Sequence, residues 1–297
     1  MRARFGCICI HAPKASVSSP LDQRESGLSE VVALLVGALV LMSGVMAAGW
    51  AFQRRVANAG WSDVFWTFGT GFTLVAAALT PLTLLPGPVE RRVLVALMAA
   101  FWSLRLGIHI AQRVASRHED ARYVEMRQTS GDRFQSQMLG LMMVQAPVSA
   151  ALAFAVVAAA HAPGPLGLLD LVAVSVLVLS VTGEGLADLQ LRRFAARPES
   201  RGAVCDEGLW ALSRHPNYFF EWLVWLAYPV AAFGFGLTSP WFWGSLAAPV
   251  LMYLLLTRVS GVPPLERAML ASRGDAYRRY QARVPAFFPF PKRGDPR

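Results

Sequence analysis

Seven long apolar runs constrain the fold of this chain more than any other feature. A helix needs about 20 apolar residues to cross a hydrocarbon core of roughly 30 Å, and each run approaches or exceeds that length. Hydrophobic residues make up 55% of the chain and charged residues only 16%, whereas about a quarter of the residues in a soluble domain are charged. The sequence therefore predicts an all-α integral membrane protein with about seven transmembrane helices. The predicted spans are residues 31–51, 61–85, 93–110, 138–160, 166–187, 218–235 and 241–257.

The basic residues are concentrated in alternate connections between these spans. Residues 113–133, residues 188–214 and the chain after Arg258 are rich in Arg, whereas residues 161–165 and 236–240 contain no Lys or Arg. By the positive-inside rule, the basic connections and the C-terminus are cytoplasmic and the N-terminus lies outside. This topology accounts for the net charge of +9. We therefore expect membrane lipids rather than nucleic acid as partners.

The chain divides into a short leader and one membrane domain. Residues 1–30 are polar and are expected to be poorly ordered, and residues 31–297 form a single helical domain. Cys7, Cys9 and Cys205 provide neither a disulfide framework nor the His partners of a zinc site, so no metal is expected. Arg greatly outnumbers Lys, which is typical of a high-GC bacterial genome and favours a bacterial inner membrane. Arg91 and Arg92 are exceptions to the charge pattern.

A polar motif stands at the start of the sixth span. Pro216 is suited to the first position of a helix, where its missing N–H group costs nothing. The free N–H groups of a helix start favour anions, and Arg214 and His215 lie beside them. Asn217 and Glu221 are four residues apart and share a helix face. Because polar groups inside a membrane are costly without a partner or a function, the motif predicts a binding site.

A second polar stripe ends the fifth span. Glu184, Asp188 and Arg192 follow one another at four-residue spacing and share a helix face. One interpretation is an ion pair within the helix at the membrane boundary. The other is that Glu184, about a turn inside the apolar zone, binds a hydroxyl or a carboxamide of a ligand.

Two further sets of charged residues are candidates for the same site. Arg258 ends the seventh span and could either reach lipid phosphate or converge with Arg192 and Arg214 on a ligand with several phosphates. Asp63 lies two residues into the second span, either as an interfacial residue or as a functional acid. Arg105 and His109 share a face of the third span and are candidates to pair with Asp63.

These motifs together resemble a known family. The chain is similar to the bacterial branch of the steroid 5-alpha-reductase family, long catalogued as DUF1295, over roughly residues 61–291. The residues that carry the likeness are Ser213-Arg214-His215-Pro216-Asn217-Tyr218-Phe219-Phe220-Glu221-Trp222, Glu184-x3-Asp188-x-Gln190, Ser260-Gly261-Val262-Pro263, Asp63-x-x-Trp66, Trp102-x-x-Arg105 and Glu119-Asp120-x-Arg122-Tyr123.

The resemblance implies a seven-helix membrane fold with NADPH in a cavity that opens to the cytoplasm. Its members reduce a carbon–carbon double bond conjugated to a ketone, as in 3-oxo-4-ene steroids, so the expected substrate is a lipophilic small molecule. By position, Asp63 lies near the family's acid in the second span, which helps to polarise the substrate ketone. The expected catalytic residues are Asp63 and Glu221, and the expected cofactor-binding residues are Glu184, Asp188, Arg192, Arg214, His215, Asn217, Tyr218, Arg258 and Tyr280.

One departure from the family leaves the proton donor open. Eukaryotic members pair the second-span acid with a Tyr on the third span, but Trp102 is nearest to that position here. Residues 93–110 contain no Tyr.

Two alternatives to a reductase remain at this stage. The pattern Arg-His-Pro-x-Tyr also resembles isoprenylcysteine carboxyl methyltransferases, which bind S-adenosylmethionine, and Glu266 and Tyr277-x-x-Tyr280 fit their tail loosely. The other alternative is a membrane protein without enzymatic activity. The pairs Asn217 with Glu221 and Glu184 with Asp188 fit the reductases better.

Overall fold

The protein folds into a bundle of membrane-spanning helices. The computed structural model describes residues 20–116, 119 and 121–291, and it has no strand within those residues. The α-helices are α1 Pro20–Val56, α2 Trp61–Leu79, α3 Val89–Ala115, α4 Ala121–Ser130, α5 Phe134–Ala160, α6 Leu168–Ala195, α7 Pro216–Ala232, α8 Pro240–Ser245, α9 Ala247–Leu254, α10 Val262–Arg273 and α11 Asp275–Arg283.

The prediction of seven spans is confirmed. The segments that are long and apolar enough to cross a membrane are Glu25–Val56, Trp61–Leu79, Val89–Ala115, Arg122–Ala160, Leu168–Ala195, Pro216–Phe235 and Pro240–Arg273.

The first helix starts earlier than the sequence suggested. Helix α1 begins at Pro20, so the last part of the segment assigned to the polar leader is helical. Residues 1–19 lie outside the described part of the chain.

Helix α5 lies at the centre of the bundle and contacts α1, α2, α3, α7, α8 and α9. The largest hydrophobic cluster surrounds its C-terminal half, where residues 155–160 are fully buried. Helices α6 and α7 pack closely against each other because Gly183 leaves room for the ring of Phe220, which a Cβ at Gly183 would strike. This close approach brings the polar stripe of α6 next to the polar stripe of α7.

The last span and the C-terminal segment are interrupted. A π-helical turn, Leu255–Val259, follows α9 and leads into α10. The sequence predicts one amphipathic helix over residues 264–283, but the chain breaks there at Gly274, whose φ of +52° suits glycine. As a result α10 and α11 fold back against each other.

A buried ion pair explains why Arg91 departs from the charge pattern. Its guanidinium lies 2.8 Å from the Asp170 carboxylate, and both side chains are almost fully buried. Its remaining N–H groups donate to carbonyl oxygens of residues 162–165. Arg91 is therefore neutralised by Asp170 and fastens α3 to the start of α6.

Candidate functional site

A single large cavity gathers most of the polar residues that the sequence singled out. Its volume is about 990 Å³, and α2, α3, α4, α5, α6, α7 and the segment after α9 contribute to its lining. One wall is polar, and another is apolar. The predicted site residues that line it are Asp63, Glu184, Asp188, Arg192, Asn217, Tyr218 and Glu221.

At the polar wall, Arg105 from α3 holds the two acids of α6. Its NH1 lies 2.6 Å from Glu184 Oε1 and its NH2 lies 2.7 Å from Asp188 Oδ2. Both acids are buried. The expected pairing of Arg105 with Asp63 is therefore wrong, because the face of α3 that carries Arg105 meets α6. The alternative of an ion pair between Asp188 and Arg192 within α6 is also not observed among the described residues. Asp188 pairs with Arg105 of α3 instead.

Three side chains around Asp188 extend this polar wall. His109 Nε2 lies 3.4 Å from Asp188 Oδ2, and Arg192 donates to His109 Nδ1 across 3.0 Å. An Nδ1 that accepts from Arg192 leaves the proton on Nε2, where it faces Asp188. Asn217 Nδ2 donates to Asp188 Oδ1 at 3.4 Å. Helices α3, α6 and α7 thus meet at one carboxylate, and His109, like Arg105, belongs to this cluster rather than to Asp63.

Glu184 retains an unused acceptor in this wall. Only 4% of the residue is exposed, and its Oε2 is buried without a hydrogen-bond partner in the described part of the chain. A buried carboxylate oxygen without a donor is unfavourable. A ligand N–H or O–H group in the cavity would satisfy it.

Glu221 is held by two tryptophans. The indole N–H of Trp102 donates to Oε2 across 2.9 Å, and that of Trp225 donates to Oε1 across 3.2 Å. Trp102 occupies the third-span position where the resemblance led us to look for a Tyr. Trp102 binds Glu221 of α7, whereas the family's Tyr at this position pairs with the acid of the second span.

Asp63 binds residues from the start of α4. The Tyr123 hydroxyl donates to its Oδ1 across 2.7 Å, and Arg122 NH2 donates to its Oδ2 across 3.0 Å. Arg122 also donates to the carbonyl of Ser260, which follows the π-helical turn. Both Asp63 oxygens accept hydrogen bonds, one of them in an ion pair with Arg122.

Arg214 and His215 do not line the cavity. Arg214 Nε lies 2.6 Å from Glu266 Oε1, and His215 Nε2 lies 3.3 Å from the same oxygen. The hydroxyl of Tyr277 also reaches that oxygen, at 3.4 Å. Arg214 donates in addition to the carbonyl of Val284. These contacts join the start of α7 to the C-terminal segment.

The remaining predicted residues are divided between the cavity and this segment. Tyr280 donates to the carbonyl of Trp210 and lies outside the cavity lining. Burial raises the pKa of Tyr277 and of Tyr280, so both phenols stay protonated at neutral pH. Arg258 is exposed and does not line the cavity. Tyr218 does line it, with its ring stacked on that of His215 at 5.6 Å.

The apolar wall is formed by α5 and by the end of the last span. Val144 and Val148 come from α5, and Leu255 and Val259 come from the π-helical turn. Val144 is 61% exposed and Val259 is 63% exposed. The side chains of this apolar wall are therefore largely uncovered by the rest of the protein.

Several residues of the site escaped the sequence interpretation. Tyr123 and Arg122 belong to a quoted motif, but their connection was assigned no role. Trp66 lines the cavity and had only the Asp63-x-x-Trp66 spacing as a signal. Trp102 was identified as a position but not as a partner of Glu221. Among the described residues, no group of three or more His, Cys, Asp or Glu side chains could hold a metal ion.

Comparison with known proteins gives one match. Residues 49–284, well over half of the chain, match the family described as "Protein of unknown function (DUF1295)". No curated protein and no solved structure matches the chain.

Proposed function

This chain belongs to the DUF1295 family, and from that premise we propose that it is a membrane-embedded, NADPH-dependent reductase of an enone carbon–carbon double bond. The substrate would be a lipophilic molecule of the 3-oxo-4-ene steroid type. The resemblance to steroid 5-alpha-reductases supports this assignment, and the cavity supplies the physical argument for it.

The observation that carries the proposal is that one cavity joins a buried polar wall to an apolar wall. A lipophilic substrate suits the apolar wall, where Val144 and Val259 are exposed. A polar cofactor suits the wall around Asp188. A volume of about 990 Å³ is at the upper end of the roughly 300–1,000 Å³ of small-molecule pockets. This is consistent with two ligands in contact.

The residues of the polar wall fit a nicotinamide dinucleotide. The free Oε2 of Glu184 can accept from a ribose hydroxyl or a carboxamide N–H group. Asn217 has both amide donors and an acceptor. Arg192 is exposed at the edge of the cavity, and a guanidinium binds phosphate through two hydrogen bonds. We therefore propose that Glu184, Asp188 and Asn217 hold the nicotinamide half and that Arg192 holds a phosphate.

The chemistry also needs a donor for the ketone oxygen. Bound NADPH would supply the hydride for the carbon β to the carbonyl. Negative charge then develops on the carbonyl oxygen, and a donor in a water-poor site stabilises it by several kcal/mol. We assign that role to Tyr123, whose single hydroxyl hydrogen would turn from Asp63 to the ketone oxygen when the substrate binds, while Arg122 keeps Asp63 in place. The α carbon takes its proton from water, which balances the reduction.

This assignment revises the expected role of Asp63. A carboxylate in an ion pair with Arg122 repels a developing oxyanion and cannot donate to it. A neutral phenol can donate. Tyr123 thus fills the position of the proton donor that the absence of a Tyr on the third span left open.

We assign a positioning role to Glu221. The hydrogen bond that it accepts from Trp102 joins α3 to α7, and the one from Trp225 lies within α7 and holds its other oxygen. For Arg214, His215 and Tyr280 we propose the role of anchoring α10 and α11, since their bonds run to the C-terminal segment. From the Arg-rich connections we propose that the cavity and the C-terminus lie on the cytoplasmic side of a bacterial inner membrane.

The alternative of an S-adenosylmethionine-dependent methyltransferase is less well supported. It shares the Arg-His-Pro-x-Tyr pattern of residues 214–218 with the reductases, and the further residues that fit it are Glu266, Tyr277 and Tyr280. These side chains bind one another, Arg214, and backbone carbonyls. None of the three lines the cavity.

The proposal is tested with purified protein, NADPH and a 3-oxo-4-ene steroid. We expect consumption of NADPH that depends on the steroid and yields the saturated ketone, detected by mass spectrometry. The same steroid without its double bond is the control and should give no consumption. Transfer of a methyl group from S-adenosylmethionine to a lipid-linked acceptor, without consumption of NADPH, would favour the alternative.

A further inference from the structure

The indole N–H of Trp66 is a buried donor without a partner at the wall of the cavity. Its Nε1 makes no hydrogen bond to any described residue, and Trp66 lines the cavity. Buried indole N–H groups usually have a partner. The others near this region follow that rule, because those of Trp102, Trp210, Trp222 and Trp225 each donate to a carboxylate or a carbonyl.

The Trp66 ring is held in place by its neighbours. It packs edge-to-face on Trp102 with ring centroids 6.2 Å apart, and it contacts both of the larger hydrophobic clusters of the bundle. A fixed ring means that its N–H cannot easily turn towards another acceptor. An unsatisfied buried donor of this kind is costly to the folded protein unless a ligand supplies the acceptor.

The position of Trp66 indicates which part of a ligand it would meet. It lies three residues after Asp63 on α2, so the two side chains share a helix face. Asp63 binds Tyr123, which lines the same cavity. The Trp66 N–H group, which no described residue accepts, and the Tyr123 hydroxyl, once it turns from Asp63, would suit an oxygen that gains negative charge.

We propose that the Trp66 indole N–H is a second hydrogen-bond donor to the carbonyl oxygen of the lipophilic substrate. This inference rests on the proposed function and specifies the substrate feature that the site recognises. Trp66 would select ketones over analogues without the oxygen, because its N–H group stays unpaired with the analogue, whereas Tyr123 can keep its bond to Asp63. Trp66 and Tyr123 would both stabilise the enolate oxygen during reduction.

The test compares two ligands that differ only in the carbonyl. A 3-oxo-4-ene steroid and the same steroid without the 3-oxo group are titrated into the detergent-solubilised protein without cofactor. We expect the wild type to bind the ketone about tenfold more tightly. In Trp66→Phe that preference should disappear while binding of the carbonyl-free steroid stays unchanged. With NADPH present, kcat for the ketone should fall about a hundredfold, in the range seen when one oxyanion donor is removed.

The control variant is Trp243→Phe, which removes an exposed indole that donates to the Leu237 carbonyl away from the cavity. It should keep the full preference for the ketone. If Trp66→Phe does not fold, benzothienylalanine at position 66 replaces the N–H with sulfur and preserves the ring shape.

Two results would overturn the inference. The first is that Trp66→Phe still binds the ketone as much more tightly than the carbonyl-free steroid as the wild type does. The second is that the wild type binds the two steroids equally well. A wild type that prefers the ketone through Trp66 but does not oxidise NADPH would instead refute the proposed reaction and leave the carbonyl site standing.

Discussion

The hydroxyl of Tyr123 donates a 2.7 Å hydrogen bond to Oδ1 of Asp63, and this bond joins α4 to α2 at the wall of the cavity. Arg122 neutralises the other oxygen of Asp63. The acid therefore anchors the phenol. Because the phenol has a single hydroxyl hydrogen, we propose that this hydrogen turns from Asp63 to a substrate oxygen when the substrate binds.

Replacing Tyr123 with Phe should remove the main donor to the ketone. We expect kcat to fall about 10²–10³-fold, as for the loss of an oxyanion-hole donor, with little change in the Kd for NADPH. Steady-state kinetics and calorimetric titration measure the two quantities. Tyr253→Phe is the matched control, since Tyr253 packs on Phe288 and does not line the cavity. Wild-type kcat in Tyr123→Phe would remove Tyr123 from the mechanism.

Arg192 should provide phosphate binding. Arg192→Ala should weaken NADPH binding by about 1.5–3 kcal/mol, the range for a hydrogen bond to a charged group. If Arg192 binds the 2′-phosphate, the loss for NADH should be much smaller. The neighbouring Arg193→Ala is the control, because Arg193 is exposed and lies outside the cavity lining. Equal losses of NADPH affinity in Arg192→Ala and Arg193→Ala would show that Arg192 acts only through the positive charge of this region and not by binding a phosphate.

Glu221 should contribute to stability as well as to activity. In Glu221→Gln one of the two tryptophan N–H groups meets an amide NH₂ instead of an oxygen and is left unpaired. We expect the free energy of unfolding to fall by about 1–3 kcal/mol, together with most of the turnover. Thermal unfolding in detergent, with the exposed Glu199→Gln as control, measures the change. An unaltered unfolding temperature would contradict the observed hydrogen bonds to Glu221.

Parts of this site could be predicted from the sequence because they depend on local spacing. Pro216 does begin α7, and Glu184 and Asp188 do share a face of α6 that meets α7. Spacing identifies a face but not the helix that it meets. Arg105 was therefore matched with Asp63, whereas the packing of α3 against α6 brings it to Glu184 and Asp188.

The role of Arg214 could not be predicted for a similar reason. A basic residue beside a helix start normally indicates an anion site. Here the anion is the carboxylate of Glu266, which comes from the same chain 52 residues later. Only the fold of α10 and α11 brings it there.

This network predicts a separable effect of Glu266. Glu266→Ala leaves Arg214 and His215 without their shared acceptor, so we expect faster amide hydrogen exchange in α10 and α11. Affinity for NADPH should change less than about threefold, because these residues do not line the cavity. Asp275→Ala, which removes an exposed ion pair with Arg278, is the control. A large loss of NADPH affinity in Glu266→Ala would return Arg214 and His215 to the cofactor site.

The central claim is hydride transfer from NADPH to an enone, and isotope transfer tests it most directly. NADPH deuterated at the transferring position of its nicotinamide ring is incubated with the purified protein and a 3-oxo-4-ene steroid, and the product is analysed by mass spectrometry and NMR. The account predicts a saturated ketone with deuterium at the carbon β to the carbonyl. A recovered steroid without deuterium, under conditions in which the protein is folded and binds both ligands, would contradict it.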